Sequence, residues 1–344
     1  MSVVGSMTKI AIINDTRITS HYGCMLVMEN LLALLEKNNV EVVWTWQVSV
    51  DWRKHKREIS NKPKVDAIIV NGEGTIHHSK DRKFAKALAE FAEFSHQVLK
   101  TPAYLINATL YKNDAAEYAK LKEYRAIYVR DKGSLEELES FNLEGKYVPD
   151  LTFAKNETEY PKLLPSQKAV VIDSAIKEDN PILRNFANSN ALPFKSMIVA
   201  RRRNAKFIRS PRPYVKNILK FIATDRKLST APSTYIQYLR DHRLVITGRY
   251  HTVSMCIKNK IPFVAIDSNT PKIRYLLTDA IGETNRNITI TELNSINLSS
   301  DYKYSELELE RMKNFIKTSE DMIDEMIAHI VKDIEMDTSN KYCY

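Results

Sequence analysis

Residues 9–46, KIAIINDTRITSHYGCMLVMENLLALLEKNNVEVVWTW, decide the fold class. The run 9–14 is a short block of branched aliphatics ending in Asn14-Asp15, the pattern of a strand buried on both faces. Over 25–38, Leu26, Met28, Leu31, Leu32 and Leu35 recur at three-to-four spacing, which predicts a helix with one apolar face. The run 40–46 returns to Val and Trp and reads as a second strand. Strand, helix and strand in that order predict a parallel sheet of α/β type.

The alternation continues outward. Strands are expected at 65–70, 103–107, 126–129 and 145–148, and helices at 82–99, 114–122 and 134–140. Between 154 and 166 the chain turns to Asn, Glu, Thr, Lys and two prolines without periodicity, which reads as a linker. Beyond it strands are expected at 169–173, 196–200, 244–247 and 263–266, with helices at 181–187, 213–223, 233–241 and 251–258. Apolar residues from Leu309 to Ile334 predict a long amphipathic helix or a broken pair over 305–334. The expected fold is therefore two Rossmann-like α/β domains, 7–155 and 166–285, facing each other across a cleft, with a C-terminal helical segment 286–335.

The 344 residues, 44% hydrophobic and 27% charged, suffice for two packed cores and exclude fibrous or wholly disordered classes. Three widely spaced cysteines, Cys24, Cys256 and Cys343, provide neither a disulfide framework nor a zinc ribbon, which points to a reducing, cytoplasmic setting. No signal peptide is expected, nor an apolar run long enough to span a membrane. A net charge of +9, from 51 Lys+Arg against 42 Asp+Glu, predicts an anionic partner. No nucleic-acid module accompanies it, so a phosphorylated small molecule, or peripheral contact with the inner face of a membrane, is the expectation. Oligomeric state is not encoded in any pattern here.

Glycine marks where chemistry sits, because only eight occur in the chain. Gly23, Gly72, Gly74, Gly133 and Gly248 all stand beside strand ends or turns into helices, where the crevice of a parallel sheet forms. The same loops gather polar residues: Asn14, Asp15 and His21; Glu73; Arg130, Asp131 and Ser134; Ser174; and Gly248, Arg249, Tyr250, His251 and Thr252. Arg249 offers a planar fork for carboxylate or phosphate, and His251, two residues on at a helix start, a proton near neutral pH. Arg130 occupies the equivalent strand end in the first half and predicts a second anion contact. Ser134 with Glu137 has capping-box spacing, which makes a structural role for Asp131 and Ser134 the alternative. Glu73, between two glycines, suits a base for a sugar hydroxyl or a structural hydrogen bond. The adjacent pair His77-His78 lacks a third ligand at useful spacing, so no metal site is expected. Arg201-Arg202-Arg203 follows the expected strand 196–200 as a basic cluster.

Taken in order, Asn71-Gly72-Glu73-Gly74, Arg130-Asp131-Lys132-Gly133-Ser134, Pro149-Asp150-Leu151-Thr152-Phe153, Gly248-Arg249-Tyr250-His251-Thr252 and Ile261-Pro262-Phe263-Val264-Ala265-Ile266 with Lys272 beyond resemble the polysaccharide pyruvyl transferase family over about residues 8–283. The resemblance implies a GT-B-like two-domain fold and transfer of pyruvate from phosphoenolpyruvate, the donor substrate, onto two hydroxyls of a glycan acceptor as a ketal. It implies Arg249 and Arg130 on the donor's phosphate and carboxylate, and His251 as general acid. No resident cofactor is implied, and a divalent ion is not indicated. Where family members carry G-G-G this chain has Gly72-Glu73-Gly74, and where they carry N-x-G-D it has His21-Tyr22-Gly23-Cys24. Both departures fall in the expected acceptor domain. Two alternatives stay open: a glycosyltransferase of surface glycan synthesis using a nucleotide sugar such as a CMP-linked acidic sugar, and a non-catalytic glycan-binding protein of the same fold.

Overall fold

The structure, a computed structural model, describes residues 7–155, 166–202 and 210–341. Most of the expected linker (156–165), Arg203 and Cys343 lie outside the described residues. The chain divides into two compact units, one of residues 1–16, 28–154 and 321–344, the other of residues 17–27 and 155–320.

Unit 1 is a six-stranded sheet of β1 (Thr8–Asp15), β2 (Val40–Gln47), β3 (Ala67–Glu73), β4 (Ala103–Ala108), β5 (Ala126–Val129) and β6 (Lys146–Tyr147), in the order β2-β1-β3-β4-β5-β6. Every pairing is parallel. Ile10 to Ile13 and Ile68 to Val70 are buried, which is why they read as unbroken apolar runs rather than alternating ones. Helices α1 (Tyr22–Lys37, from Met28 onward), α2 (Lys56–Ser60), α3 (Lys83–Phe94), α4 (Ala115–Leu121) and α5 (Lys132–Ser140) belong with this sheet. The core is sealed by paired polar tips: Trp52 Nε1 donates to the Ala87 carbonyl at 2.7 Å and Tyr124 Oη to that of Leu88 at 2.6 Å. From β1 the chain first builds outward to β2, then crosses to β3 on the other side. The carboxyl ends of β1 and β3 therefore flank a topological switch point, where parallel sheets hold ligands.

Unit 2 repeats the scheme with β7 (Ser166–Ser174), β8 (Phe194–Lys195), β9 (His242–Gly248), β10 (Phe263–Ile266) and β11 (Asn287–Ile288), in the order β11-β10-β9-β7-β8 and again all parallel. Its helices are α6 (Asp179–Ser189), α7 (Pro211–Lys220), α8 (Pro232–Arg240), α9 (Tyr250–Lys258) and α10 (Lys272–Ala280). Here the switch point lies between β7 and β9. The expected strand at 196–200 is not formed: β8 stops at Lys195, because Ser196 and Met197 turn their donors onto Asp173 and the Val199 amide donates to the Ser20 carbonyl. Helix α10 and strand β11 lie beyond the elements read from periodicity.

The C-terminal segment is one helix, α11 (Glu306–Lys341). Its last turns belong to unit 1, where Met326, Ile327, Ile330 and Ile334 are buried. Asp333 there accepts from Tyr104 Oη at 2.7 Å and pairs with Arg125 at 2.9 Å. No helix among the described residues is long and apolar enough to cross a membrane.

Gly72 earns its place by close approach. A Cβ there would lie 2.6 Å from Ala108 Cβ and 2.8 Å from its Cα, on the neighbouring strand β4. Gly72→Ala is expected to lower stability by about 1–3 kcal/mol, the usual cost of overpacking. Chemical denaturation checks it: the midpoint should fall with the slope unchanged.

Candidate functional site

At the switch point of unit 2, one carboxylate organises three chain segments. Asp173, at the end of β7, accepts Arg249 Nε at 3.0 Å and Nη2 at 2.7 Å, Ser196 Oγ at 2.9 Å and the Met197 amide at 3.0 Å. Arg249 leaves β9 as the N-cap residue of α9, in extended conformation, so its guanidinium is presented as a fixed fork at the start of that helix. Gly248 allows this: a Cβ there would meet Ser174 Oγ at 2.5 Å and its Cα at 2.9 Å. Ser174 Oγ donates in turn to Asp179 at 3.0 Å, and burial holds the Asp179 carboxyl above the usual range. Tyr250 and Thr252, also read from the sequence, are buried; Thr252 Oγ1 lies 3.1 Å from Tyr235 Oη.

His251 is the second residue of α9 and mostly buried. Its ring meets that of His21 edge-on, with centroids 5.6 Å apart. His21 is fixed by an antiparallel bridge to Ile198, and the next residue, Tyr22, stacks on Tyr235 at 4.5 Å and donates its hydroxyl to the Ser229 carbonyl at 2.7 Å. Burial pushes the Tyr22 phenol up to about 12, so it stays a donor. Gly23 packs directly on His251, leaving no room for a side chain between them. His21, Cys24 and His251 bring one donor atom each within 4.8 Å of one another. Arg201 is turned to the carbonyl of Leu228 at 3.0 Å.

The strand ends of unit 1 form a second polar cluster. Asn14, Glu73 and Asn107, at the ends of β1, β3 and β4, hold φ of 66°, 41° and 55°, a left-handed conformation that costs of order 1 kcal/mol or more outside glycine and concentrates at functional sites. Glu73 Oε1 accepts from Thr16 Oγ1 at 2.6 Å and Asn71 Nδ2 at 3.0 Å; Asn14 Nδ2 donates to the Asn71 carbonyl at 2.6 Å. Asn71 Oδ1 and Asn107 Nδ2 are buried without a hydrogen-bond partner from the chain, polar atoms that folded proteins satisfy with ordered water, an ion or a ligand. Asp15 is buried beside them, and Gly74 closes the turn after Glu73.

Arg130 is placed differently from a ligand-facing arginine. Its side chain is 2% exposed, pairs with Asp150 at 2.8 Å and donates Nε to Thr109 Oγ1 at 2.8 Å. Asp131 is the N-cap of α5, accepting the Ser134 amide at 2.8 Å and its hydroxyl at 2.7 Å. The expected Ser134–Glu137 capping box is thus replaced: the helix starts two residues earlier, at Lys132, and Glu137 instead accepts from Tyr118 Oη. Cys24, Thr109, Asn71 and Asn107 were not among the site residues expected from the sequence. The His-x-x-Cys spacing at a helix start was the available signal for the first.

The fold and site define a two-unit α/β protein with its polar groups at strand ends. A family model described as polysaccharide pyruvyl transferase matches residues 21–270. The chain belongs to that family, and it is a transferase of polysaccharide biosynthesis. No curated protein matches it in sequence. Among solved structures it is similar to an uncharacterised Klebsiella pneumoniae protein, with 12% identity, TM-score 0.50, and coverage of 83% of this chain and 92% of that one. It also aligns with the UDP-GlcNAc 2-epimerase of Methanocaldococcus jannaschii at 10% identity and TM-score 0.49, over 90% of this chain and 99% of that one. The first likeness is one of fold.

The buried Arg130–Asp150 pair makes a stability prediction. Arg130→Met strands a buried carboxylate and is expected to cost about 3–5 kcal/mol. Adding Asp150→Asn, which removes the charge but keeps an oxygen for the Thr152 amide at 2.9 Å, should restore most of that loss in urea denaturation.

Proposed function

We propose that the protein transfers pyruvate from phosphoenolpyruvate onto a sugar of a cell-surface polysaccharide or its lipid-linked precursor, as a cyclic ketal. The observation that supports this reading is the turn after β9, where an arginine fork and a histidine stand two residues apart at the N-terminus of a nine-residue helix. That end of a helix favours an anion. Arg249 holds Asp173 through Nε and Nη2, which fixes the plane of its guanidinium and leaves Nη1 to meet the donor's carboxylate or phosphate.

The chemistry assigns His251 the proton. It protonates the methylene carbon of phosphoenolpyruvate, leaving cationic character at C2. One sugar hydroxyl adds there, phosphate leaves with its bridging oxygen, and a second hydroxyl closes the ketal. Of the two hydroxyl protons released, one ends in the new methyl group by way of His251 and the other leaves on phosphate. In unit 1, Glu73 is the group assigned to hydroxyl recognition, with the unsatisfied amide atoms of Asn71 and Asn107 beside it as further polar contacts. Arg130 serves the site by tying the ends of β4 and β5 to Asp150.

A peripheral contact with the membrane belongs to the same proposal. Along α7 and the turn that follows, Val215, Leu219 and Ile222 are 55%, 61% and 63% exposed at four-and-three spacing, on one helix face. Exposed Arg212, Lys216, Arg226 and Lys227 accompany them. An apolar stripe with a basic border suits the headgroup boundary of an anionic bilayer.

Binding is tested by thermal shift, since a ligand of the native state raises its melting temperature. Phosphoenolpyruvate should stabilise the protein and CMP and UDP should not; the reverse would mean a nucleotide-sugar donor. His251→Ala should leave the phosphoenolpyruvate shift intact yet cut turnover about a hundredfold or more, whereas Arg249→Lys should weaken the shift itself. The protein should co-sediment with phosphatidylglycerol vesicles and not with phosphatidylcholine ones, and Leu219→Glu should lower that binding at least severalfold; no binding to phosphatidylglycerol, or binding unchanged in Leu219→Glu, would remove the membrane contact.

A further inference from the structure

We propose that His21, Cys24 and His251 form a binding site for a zinc-class divalent ion, with its fourth position open to water or to an anionic oxygen. Two imidazoles and a thiol are the donor set of soft, tetrahedral sites. Their donor atoms all lie within 4.8 Å of one another. A tetrahedral ion with bonds of about 2.0–2.3 Å sets its ligands about 3.3–3.7 Å apart, so small side-chain rotations complete the site. The three residues come from two segments that the fold clamps together. His21 is held by its bridge to Ile198, Tyr22 donates its amide to the Met197 carbonyl at 3.2 Å, and Gly23, lacking a side chain, lets the start of α1 rest on His251. His21 Nδ1 accepts the Cys24 amide at 3.3 Å, a long hydrogen bond that ligation through Nδ1 would replace. His21 and Cys24 are half-buried and His251 is buried, so an ion reaches the trio from one side.

His21 and Cys24 stand three residues apart at the start of α1, a spacing that puts both side chains on one side of the helix end. The other described cysteine, Cys256, is fully buried, and burial pushes its thiol far up; it is a natural control, because the thiolate is the metal ligand. One consequence rests on the transfer reading above: a His251 nitrogen that gives its lone pair to the ion cannot carry the proton to phosphoenolpyruvate, so the bound ion inhibits.

Cobalt(II), a spectroscopic substitute for zinc, tests the site without reference to activity. The reduced full-length protein, freed of metal by chelator, should take up one equivalent with tetrahedral ligand-field bands and a thiolate-to-cobalt charge-transfer band, and zinc should bleach both. Cys24→Ser should abolish the charge-transfer band and weaken zinc binding tenfold or more, while Cys256→Ser keeps both; His21→Gln, checked for folding by circular dichroism, should lose the tetrahedral bands. Absence of saturable one-equivalent binding, or a charge-transfer band that survives Cys24→Ser, would overturn the proposal. Phosphate release from phosphoenolpyruvate in the presence of glycan is measured separately. A cobalt site in a protein without that activity supports the metal site and counts against the transfer reading, and inhibition by one equivalent of zinc supports both.

Discussion

The fork between Arg249 and Asp173 is the constraint on which the rest of unit 2 depends. A single carboxylate takes four donors, from the turn after β9 and from the segment after β8, and so ties the ends of three strands together. Charge-assisted hydrogen bonds of this kind are shorter and stronger than neutral ones. Here they also set direction, since the arginine enters α9 as its N-cap and puts His251 in the first turn. Remove the fork, and the histidine, the loop carrying Ser196 and Met197, and the bridge from Ile198 to His21 lose their common anchor.

Unit 1 solves a related problem with strain rather than with one shared carboxylate. Three non-glycine residues at the ends of β1, β3 and β4 sit in the left-handed region, and two asparagine amides are buried with a polar atom unmet. A chain that needed only stability would place glycine at 73 and an apolar residue at 71. Keeping Glu73 and Asn71 there places two polar side chains, tied to each other at 3.0 Å, at the carboxyl ends of the strands. The buried Arg130–Asp150 pair, with Thr109 and the Asp131 cap, keeps this rim rigid. Burial holds the Asp131 carboxyl above its usual range, partly offset by the Ser134 donors.

Much of the fold was legible because buried parallel strands and amphipathic helices write directly into the sequence. Ile10–Ile13 and the heptad-like leucines of α1 are examples, and the end of the chain reads as helical from Leu309 to Ile334. What periodicity could not show were elements made by single contacts. The segment 196–200 has the composition of a strand, yet Asp173 intercepts its donors. At the site, the turn Gly248–Thr252 was legible from glycine scarcity and residue type. Arg130 was legible as a strand-end arginine, but its partner stands twenty residues further on, and no spacing rule points from one to the other. The meeting of His21 and Cys24 with His251 spans more than two hundred residues and rests on the missing side chain of Gly23, which only the packed structure displays.

The most direct test of the account is the fate of the proton assigned to His251. The reaction is run in deuterium oxide with phosphoenolpyruvate and the producing cell's own surface glycan fraction, and the product is read by mass spectrometry. The account predicts a ketal whose methyl group carries one deuterium from solvent, formed together with phosphate and lost in His251→Ala. A glycan that gains no pyruvyl group, or a methyl group without solvent deuterium, would contradict it.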